Sequence, residues 1–138
     1  CILGVIVDPS RDELFTAIEH RGAQLNGHPI HVSKTATLNS SLLVTGFAYD
    51  IRDTPRNNLD HFAKFAMKAQ GLRRTGSAEV QLNPWDMAAG SVIVKEASGR
   101  LTDFSGKDLS IYGQELVASN GLIHEAMLQV LKQDAPGT

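Results

Sequence analysis

Residues 82–90 read LNPWDMAAG, and this stretch decides more about the fold than any other. Pro84 and Trp85 fix the approach to a helix that opens with the acidic residue Asp86. A carboxylate at this place can cap unpaired backbone N–H groups and interacts favourably with the helix dipole. The small residues 88–90 allow the helix to pack closely against a neighbour. Asp86 would also suit a hard cation such as Mg²⁺, although residue types alone favour the cap, because capping acids are far commoner than metal ligands.

Upstream of this helix the sequence predicts antiparallel strands joined by short turns. Residues 3–7 are apolar and rich in β-branched side chains, which is typical of a well-buried strand. Residues 8–12 contain the turn formers Asp, Pro and Ser, so residues 13–18 are expected to return as the second strand of a hairpin. Asn26-Gly27 predicts a second hairpin. The remaining short strands are expected at residues 22–25, 29–32, 41–45 (also buried), 100–104 and 115–119.

Helical spacing occurs in three segments. Apolar residues recur at intervals of three and four over residues 59–69, which predicts a helix that Gly71 closes. A second helix is predicted over residues 87–97, and an amphipathic one over residues 123–131. Because strands and helices are mixed without repeats or a flexible linker, the sequence predicts one α/β unit over residues 1–138.

Composition excludes several classes of function. The 138 residues include 13 basic and 15 acidic side chains, which give a net charge of −2. This charge carries no electrostatic signature of direct nucleic-acid binding. The chain contains no run of 18 apolar residues, so no membrane span is expected. Cys1 is the only cysteine, so no internal disulfide can form, and a cytoplasmic location is expected.

Several motifs follow one another in a characteristic order along the chain. WDMAAG at residues 85–90 is followed by EASGRLTD at residues 96–103. Shorter matches lie at residues 4–9, 13–17, 22–27, 45–49, 73–78 and 118–121. In this order the motifs resemble the C-terminal half of the inositol monophosphatase family of Mg²⁺-dependent phosphatases, especially its bacterial members. Ser98 departs from the pattern, since a glycine is usual there. The resemblance implies the layered sheet-and-helix sugar phosphatase fold and the hydrolysis of phosphate monoesters.

The resemblance also implies roles for five residues. Asp86 matches the catalytic, metal-binding Asp, which would hold the Mg²⁺ that stabilises the leaving alkoxide. Gly76, Ser77 and Ala78 match a turn whose backbone contacts the substrate ring, and Glu79 matches a Glu that bonds to substrate hydroxyls. The implied cofactor is Mg²⁺, which activates a water for attack on phosphorus. The implied substrate is inositol 1-phosphate or a related small phosphorylated polyol or sugar.

Two departures from the family pattern bear on this function. The N-terminal half of the family, with its metal-binding Asp-Pro-x-Asp-Gly-Thr loop, has no counterpart here. Asp86 alone is too few ligands for Mg²⁺, so this chain alone is expected to be inactive and the complete protein active. Glu79 also follows Ala78 directly, where the family carries about sixteen further residues, enough for a short helix and a strand. We therefore expect a gap after Ala78, across which the Cα separation would exceed the usual value of about 3.8 Å.

Other interpretations stay open. Relatives with the same fold hydrolyse fructose 1,6-bisphosphate, histidinol phosphate or nucleotide bisphosphates, and some bacterial relatives act as protein partners of the transcription machinery without catalysis. Homodimers are usual in the family. Trp85 is expected to be a packing residue rather than one that stacks on a substrate, and the five histidines are expected to be surface or packing residues. Arg73 and Arg74 could attract a phosphate, or brace a sheet edge or dimer contact, and Asp103 reads as a turn residue.

Overall fold

A computed structural model describes residues 2–45, 59–74, 83–113 and 115–132. Within these ranges the chain forms eight strands, three α-helices and one short 3₁₀ helix (Leu38–Ser40), which confirms the predicted α/β class. The strands are β1 (Leu3–Asp8), β2 (Glu13–Ile18), β3 (Ala23–Leu25), β4 (His28–Ile30), β5 (Leu42–Thr45), β6 (Gly71–Arg74), β7 (Arg100–Thr102) and β8 (Val117–Ser119). The helices are α1 (Leu59–Ala66), α2 (Pro84–Glu96) and α3 (His124–Lys132). In the described ranges, none of these helices has the length and apolar character needed to cross a membrane.

The first four strands form one antiparallel sheet in the order β1-β2-β3-β4. β1 and β2 pair along their full length, up to Asp8 opposite Glu13. Asn26 and Gly27 have φ angles of 51° and 80°. These are the two positive values that a type I′ turn requires, and β3 pairs with β4 directly across them. Both predicted hairpins are confirmed.

Helix α2 covers one face of this sheet at very short distance. A Cβ atom added to Gly4 would lie only 2.5 Å from the backbone oxygen of Ala89, so β1 and α2 can approach only because residue 4 lacks a side chain. The predicted close packing of the small residues in α2 is therefore confirmed. The buried core between sheet and helix consists of Ala17, Ala23, Val92, Ile93 and Ala97.

The other described elements lie around two small sheets. β5 and β6 pair in parallel, whereas β7 and β8 pair antiparallel. Helix α1 contacts α3 and β6, and α3 contacts β8. A cavity of about 500 Å³ lies among these elements. We call it the apolar cavity, and its lining includes Leu43, Phe62, Phe65, Leu72, Met127 and Leu131.

The predicted burial of two strands is wrong on one face of each. In β1, Gly4 faces α2 and is buried, whereas Leu3, Val5 and Val7 on the outer face are exposed and Ile6, on the same face as Gly4, is 42% exposed. β1 is an edge strand, and within the described residues α2 covers only one side of its sheet. In β5 the same alternation buries Leu43 and exposes its two neighbours. Within the described part of this chain, the outer faces of β1 and β5 are therefore uncovered.

The predicted closure of the first helix at Gly71 is also wrong. Helix α1 ends at Ala66, and Gly71 begins strand β6. The sequence of β6 is Gly-Leu-Arg-Arg, which has a single apolar side chain and no alternation to indicate a strand. β6 forms because it pairs in parallel with β5 across a helical crossover, and this pairing is a long-range contact.

Candidate active site

The N-terminus of α2 carries the residue predicted to be catalytic. Asn83 is the N-cap with an extended backbone, and Pro84 takes the first helical position. A carboxylate oxygen of Asp86 (Oδ2) accepts a hydrogen bond from the backbone N–H of Asn83 at 3.0 Å. This contact is one arm of a capping box, so the capping role predicted for Asp86 is confirmed.

Capping does not bury Asp86. The residue is exposed, while the next residue of the helix, Met87, is buried against the rest of the fold. The backbone N–H of Asn83 therefore holds one carboxylate oxygen of Asp86 in place, while the exposed side chain stays accessible to a ligand. Capping and ligand binding are compatible roles for this Asp.

The far end of α2 is tied to the first sheet through Glu96. Its two carboxylate oxygens accept hydrogen bonds from the backbone N–H groups of His20 at 3.0 Å and Gly22 at 2.8 Å. These bonds lower the pKa of Glu96. The turn between β2 and β3 is thus fastened to α2, which helps to fix the helix that carries Asp86. The sequence gives no local sign of this role, because the partners lie 76 and 74 residues away.

The backbone after Glu96 shows why the motif at residues 96–103 has small side chains at positions 98 and 99. Ser98 has a φ angle of 69°, the left-handed region that glycine adopts without strain. At Gly99 an added Cβ would lie 2.6 Å from Cγ1 of Val94. Position 98 therefore needs an unusual backbone angle and position 99 needs space, and the departure at Ser98 carries a conformational cost.

A fully buried histidine of α3 is hydrogen-bonded to two strands, β7 and β8. His124, at the start of α3, lies 2.9 Å from Thr102 Oγ1 through Nε2, and 2.8 Å from Ser119 Oγ through Nδ1. Thr102 donates its hydroxyl proton to the backbone oxygen of Asp103, so it must accept from Nε2–H, and Ser119 then donates to Nδ1. Burial lowers the pKa of His124. The packing role expected of the histidines holds for His124, as a hydrogen-bonded neutral imidazole.

The motif at residues 118–121 is structural in the same way. Asn120 Nδ2 donates to the backbone oxygens of Ser33 at 2.9 Å and Thr35 at 2.7 Å. Its Oδ1 accepts from the backbone N–H of Leu122 at 3.1 Å, just before α3. Asn120 therefore connects the segment after β4 to the start of α3.

The structure places two further residues considered in the sequence analysis, Trp85 and Asp103. Trp85 is 76% exposed, so the expected packing role is not found within the described part of the chain. The buried positions of α2 begin at Met87, two residues further along the helix. The turn role of Asp103 is confirmed, because its carboxylate accepts from Ser105 Oγ at 2.7 Å and from the Lys107 N–H at 2.9 Å. The bond from Ser105 lowers the pKa of Asp103.

The four predicted substrate-binding residues, Gly76, Ser77, Ala78 and Glu79, lie outside the described residues, and so does the expected gap after Ala78. Two described elements flank these residues in the sequence. β6 ends at Arg74, and α2 begins at Pro84. Arg73 donates from Nη1 to the backbone oxygen of Leu72 at 3.0 Å, in a strand that pairs only with β5 among the described residues. This place agrees with the sheet-edge role considered for Arg73.

The donor set can be compared with what Mg²⁺ needs. Mg²⁺ prefers six oxygen ligands in octahedral geometry, usually including one or two carboxylates. The carboxylate of Asp86 is a donor of the right type, yet the described part of the chain contains no cluster of three or more His, Cys, Asp or Glu side chains. The described residues therefore supply Asp86 as one candidate ligand and do not by themselves form a complete magnesium site.

These features define a class: an α/β protein in which a helix on an antiparallel sheet presents an acidic residue at its N-terminus. The model of the inositol monophosphatase family matches residues 1–83 and 79–135. The chain therefore belongs to the inositol monophosphatase family.

Individual relatives agree with this assignment. The chain is 43% identical to an inositol-1-monophosphatase of Synechocystis over 145 aligned positions, covering 94% of this chain and 50% of the relative. It is 33% identical to the Nus factor SuhB of Escherichia coli, covering 96% of this chain and 55% of that protein. The solved inositol monophosphatase of Anabaena superimposes with a TM-score of 0.91 at 40% identity, covering 97% of this chain and 62% of that one. The chain thus spans about half the length of the curated relatives it matches.

Proposed function

We propose that the complete protein is a Mg²⁺-dependent phosphatase of small polyol or sugar monophosphates, with inositol 1-phosphate as its substrate. The observation that carries this proposal is the exposed carboxylate of Asp86 at the capped N-terminus of α2. The 43% identity to an inositol-1-monophosphatase supports the same substrate class. We further propose that the protein acts in the cytoplasm as a homodimer, as the family resemblance implies.

In this proposal Asp86 is the catalytic and metal-binding residue of this part of the protein. When bound, Mg²⁺ would neutralise charge on the phosphate and lower the pKa of a water molecule. Asp86 would supply one carboxylate oxygen, and the other ligands would belong to the half of the relatives that this chain does not match. The backbone N–H of Asn83 donates to the Asp86 carboxylate, so the carboxylate keeps its position before any ligand arrives.

The substrate would be held by the segment between β6 and α2. We propose that the backbone of Gly76, Ser77 and Ala78 contacts the ring, and that Glu79 accepts hydrogen bonds from ring hydroxyls. A carboxylate at this place favours a neutral hydroxylated ring over one that carries a second phosphate, because like charges repel. Inositol 1-phosphate is therefore preferred to fructose 1,6-bisphosphate.

Phosphate release from inositol 1-phosphate by the complete protein tests the reaction. We expect activity with Mg²⁺ and loss of activity after chelation. Asp86→Asn should lower kcat by about 100-fold or more, the scale seen when a group that stabilises developing charge is removed. Asp60→Asn is the matched control, because Asp60 also lies in the first turn of an exposed helix end and should leave kcat unchanged. Wild-type activity in Asp86→Asn would refute the role of Asp86, and a preference for fructose 1,6-bisphosphate or histidinol phosphate would refute the substrate.

We also propose that this chain corresponds to the C-terminal half of the phosphatase fold. One face of the first sheet exposes an apolar surface formed by Leu3, Val5, Val7, Leu14 and Ile18. Exposed apolar surfaces of this kind usually mark an interface, and the unmatched half of the relatives is the partner that this surface fits. The intact mass of the protein from its natural source should be about twice the 14.9 kDa of this chain. A measured mass of 14.9 kDa would contradict the proposal.

A second candidate function is suggested by the relative named as a Nus factor. We propose it as a non-catalytic role in protein contacts with the transcription machinery. The two functions separate on one variant, because a contact role should survive Asp86→Asn and phosphatase activity should not. Co-purification of that variant with RNA polymerase, at the wild-type level, would support the second function.

A further inference from the structure

The chain contains two Asn-Gly pairs, Asn26-Gly27 and Asn120-Gly121, and both lie at tight bends where the glycine has a positive φ angle. An asparagine is most prone to lose its side-chain amide when glycine follows, because the glycine nitrogen can then approach the amide carbon without hindrance from a side chain. Asn26 and Gly27 are both exposed. In the described part of the chain, a Cβ added to Gly27 would meet no atom within 4 Å, so there is room for this approach.

Deamidation at Asn26 consumes only water. The backbone nitrogen of Gly27 gives up its proton to the solvent and bonds to Cγ of Asn26, and the side-chain nitrogen takes up a proton and leaves as ammonia. Water then opens the resulting cyclic imide at one of its two carbonyl groups. The product is aspartate or isoaspartate, in which the backbone runs through the side chain. Either product carries one more negative charge than asparagine.

The fold holds the Asn26 side chain away from this reaction. Its Oδ1 accepts a hydrogen bond from the backbone N–H of Leu14 at 2.7 Å, and its Nδ2 donates to the backbone oxygen of Asp12 at 2.9 Å. The side chain therefore joins the turn between β3 and β4 to the start of β2. Both bonds must break before the amide carbon can turn toward Gly27, so the hairpin has to open first.

The same contacts show what deamidation would do to the hairpin. The bridge needs one acceptor and one donor on residue 26, together with a φ angle of 51° that asparagine tolerates. Aspartate would place a second acceptor oxygen against the backbone oxygen of Asp12, with no proton between them. Isoaspartate would lengthen the backbone of a two-residue turn by one carbon, and the type I′ geometry cannot accommodate it. A deamidated hairpin therefore cannot close as before.

Asn120 is held more firmly than Asn26. Its Nδ2 donates to the backbone oxygens of Ser33 and Thr35, and its Oδ1 accepts from the backbone N–H groups of Leu122 at 3.1 Å and Ile123 at 3.3 Å. The side chain thus has four bonds to the backbone where Asn26 has two, and it is only partly exposed. Ring closure at Asn120 requires a larger opening of the fold.

We propose that Asn26 is a deamidation site controlled by the opening of the β3–β4 hairpin, and that the modification prevents the hairpin from closing again. Asn120 is the slower of the two Asn-Gly sites in the folded protein. The modification is independent of the phosphatase reaction proposed above.

Deamidation rates of the complete protein test the control by the fold. The protein is incubated at mildly alkaline pH, and peptide mapping by mass spectrometry follows both sites beside free peptides of residues 22–31 and 116–125. Asn26 should react about tenfold or more slowly in the folded protein than in its peptide, because two hydrogen bonds must break, and Asn120 about tenfold more slowly again. In urea both sites should reach the rates of their peptides. Equal rates for Asn26 in protein and peptide, no product at Asn26 after its peptide has fully reacted, or a faster reaction at Asn120 would each overturn the proposal.

A variant that carries the product tests the effect on the hairpin. Asn26→Asp should lower the folding equilibrium constant about fivefold or more, measured by urea denaturation, because it loses a donor and sets two acceptors against each other. Asn39→Asp is the matched control at another exposed asparagine. The Asn39 Oδ1 accepts from the Thr37 hydroxyl at 2.6 Å, and a carboxylate oxygen can do the same. Equal stability of the two variants would contradict the proposed effect.

Asn26→Gly covers the case in which Asn26→Asp does not fold. Glycine keeps the positive φ angle and sets no acceptor against Asp12, but it removes the bridge. This variant should fold and be less stable than the wild type. If it were as stable as the wild type, the bridge would contribute nothing and the proposal would fail.

Discussion

The sheet β1–β4 with α2 and the part built from β5–β8, α1 and α3 are held together in different ways. The first has hairpins between neighbours in sequence and a helix in close contact with β1. The second depends on the parallel pairing of β5 with β6 across a crossover and on a buried histidine network, and it contains the apolar cavity. Local turns specify the first part closely, whereas the second part depends on contacts between distant segments. The first part should therefore lose most stability through a substitution at a single tight contact, and the second part through a substitution in its polar network.

The largest effect is expected at the contact between β1 and α2. Gly4→Val places a side chain 2.5 Å from the Ala89 oxygen, where no rotamer can relieve the clash. We expect a loss of about 3 kcal/mol in the free energy of unfolding, the upper range for overpacking. Urea denaturation followed by circular dichroism measures it.

Gly90→Ala is the matched control on the same helix. Its added Cβ would have its nearest neighbour, Ile6 Cδ1, at 4.0 Å, so it fits without a clash. This substitution should stabilise α2 by up to about 1 kcal/mol through helix propensity. If Gly4→Val were as well tolerated as Gly90→Ala, the close contact would not be what holds the first part together.

The histidine network should dominate the second part. His124→Ala leaves the hydroxyls of Thr102 and Ser119 without their buried partner and removes a packed ring. We expect a loss of about 2 kcal/mol in the free energy of unfolding. His31→Ala, at an exposed position, should change it little. Equal effects of the two substitutions would remove the distinction between the two parts.

The same network predicts a pH dependence. The folded-state pKa of His124 lies below its ordinary value of 6.5, because burial disfavours the charged ring. The unfolded state therefore binds the proton first, so stability is full above about pH 6.5 and falls as the pH is lowered toward the folded pKa. Denaturation from pH 7.5 to 5 should show this decline, and His124→Gln should flatten it. An unchanged slope in His124→Gln would contradict the assignment; His61, whose pKa burial also lowers, accounts for any remaining slope.

A smaller effect, an increase in stability, is expected from a substitution at the far end of α2. Ser98→Gly relieves a non-glycine residue at a φ angle of 69° and should raise stability by about 1 kcal/mol. The comparison variant, Ser105→Gly, lies in another turn without a positive φ angle and loses the hydrogen bond to Asp103, so it should lower stability. Thermal unfolding compares the two, and a Ser98→Gly variant no more stable than the wild type would show that the backbone angle carries no cost.

Much of the first part was predictable because its information is local. Asn26-Gly27 marks a turn within two residues, and the strands beside it need only pair with the adjacent segment. The helix at LNPWDMAAG is equally local, since its cap and its first acidic residue are neighbours. For the same reason the capping contact of Asp86 could be predicted correctly.

The misjudged features share a different origin. β6 has no strand pattern of its own and exists through its pairing with β5. The outward residues of β1 looked like core residues because their composition is apolar, and composition does not say which face of an element is covered. The predicted substrate-binding residues 76–79 lie outside the described residues and stay a prediction.

From the amino-acid sequence came the α/β class, the two hairpins, the helix that presents Asp86 and the family resemblance. Each of these depends on residues close together in the chain or on a motif order that needs no coordinates. Tertiary structure alone assigned Glu96 to the turn at His20 and Gly22, placed His124 between Thr102 and Ser119, and revealed the apolar cavity. The physical reason is that these features arise where segments distant in the chain meet, and their free energy depends on distances and burial that no local pattern encodes.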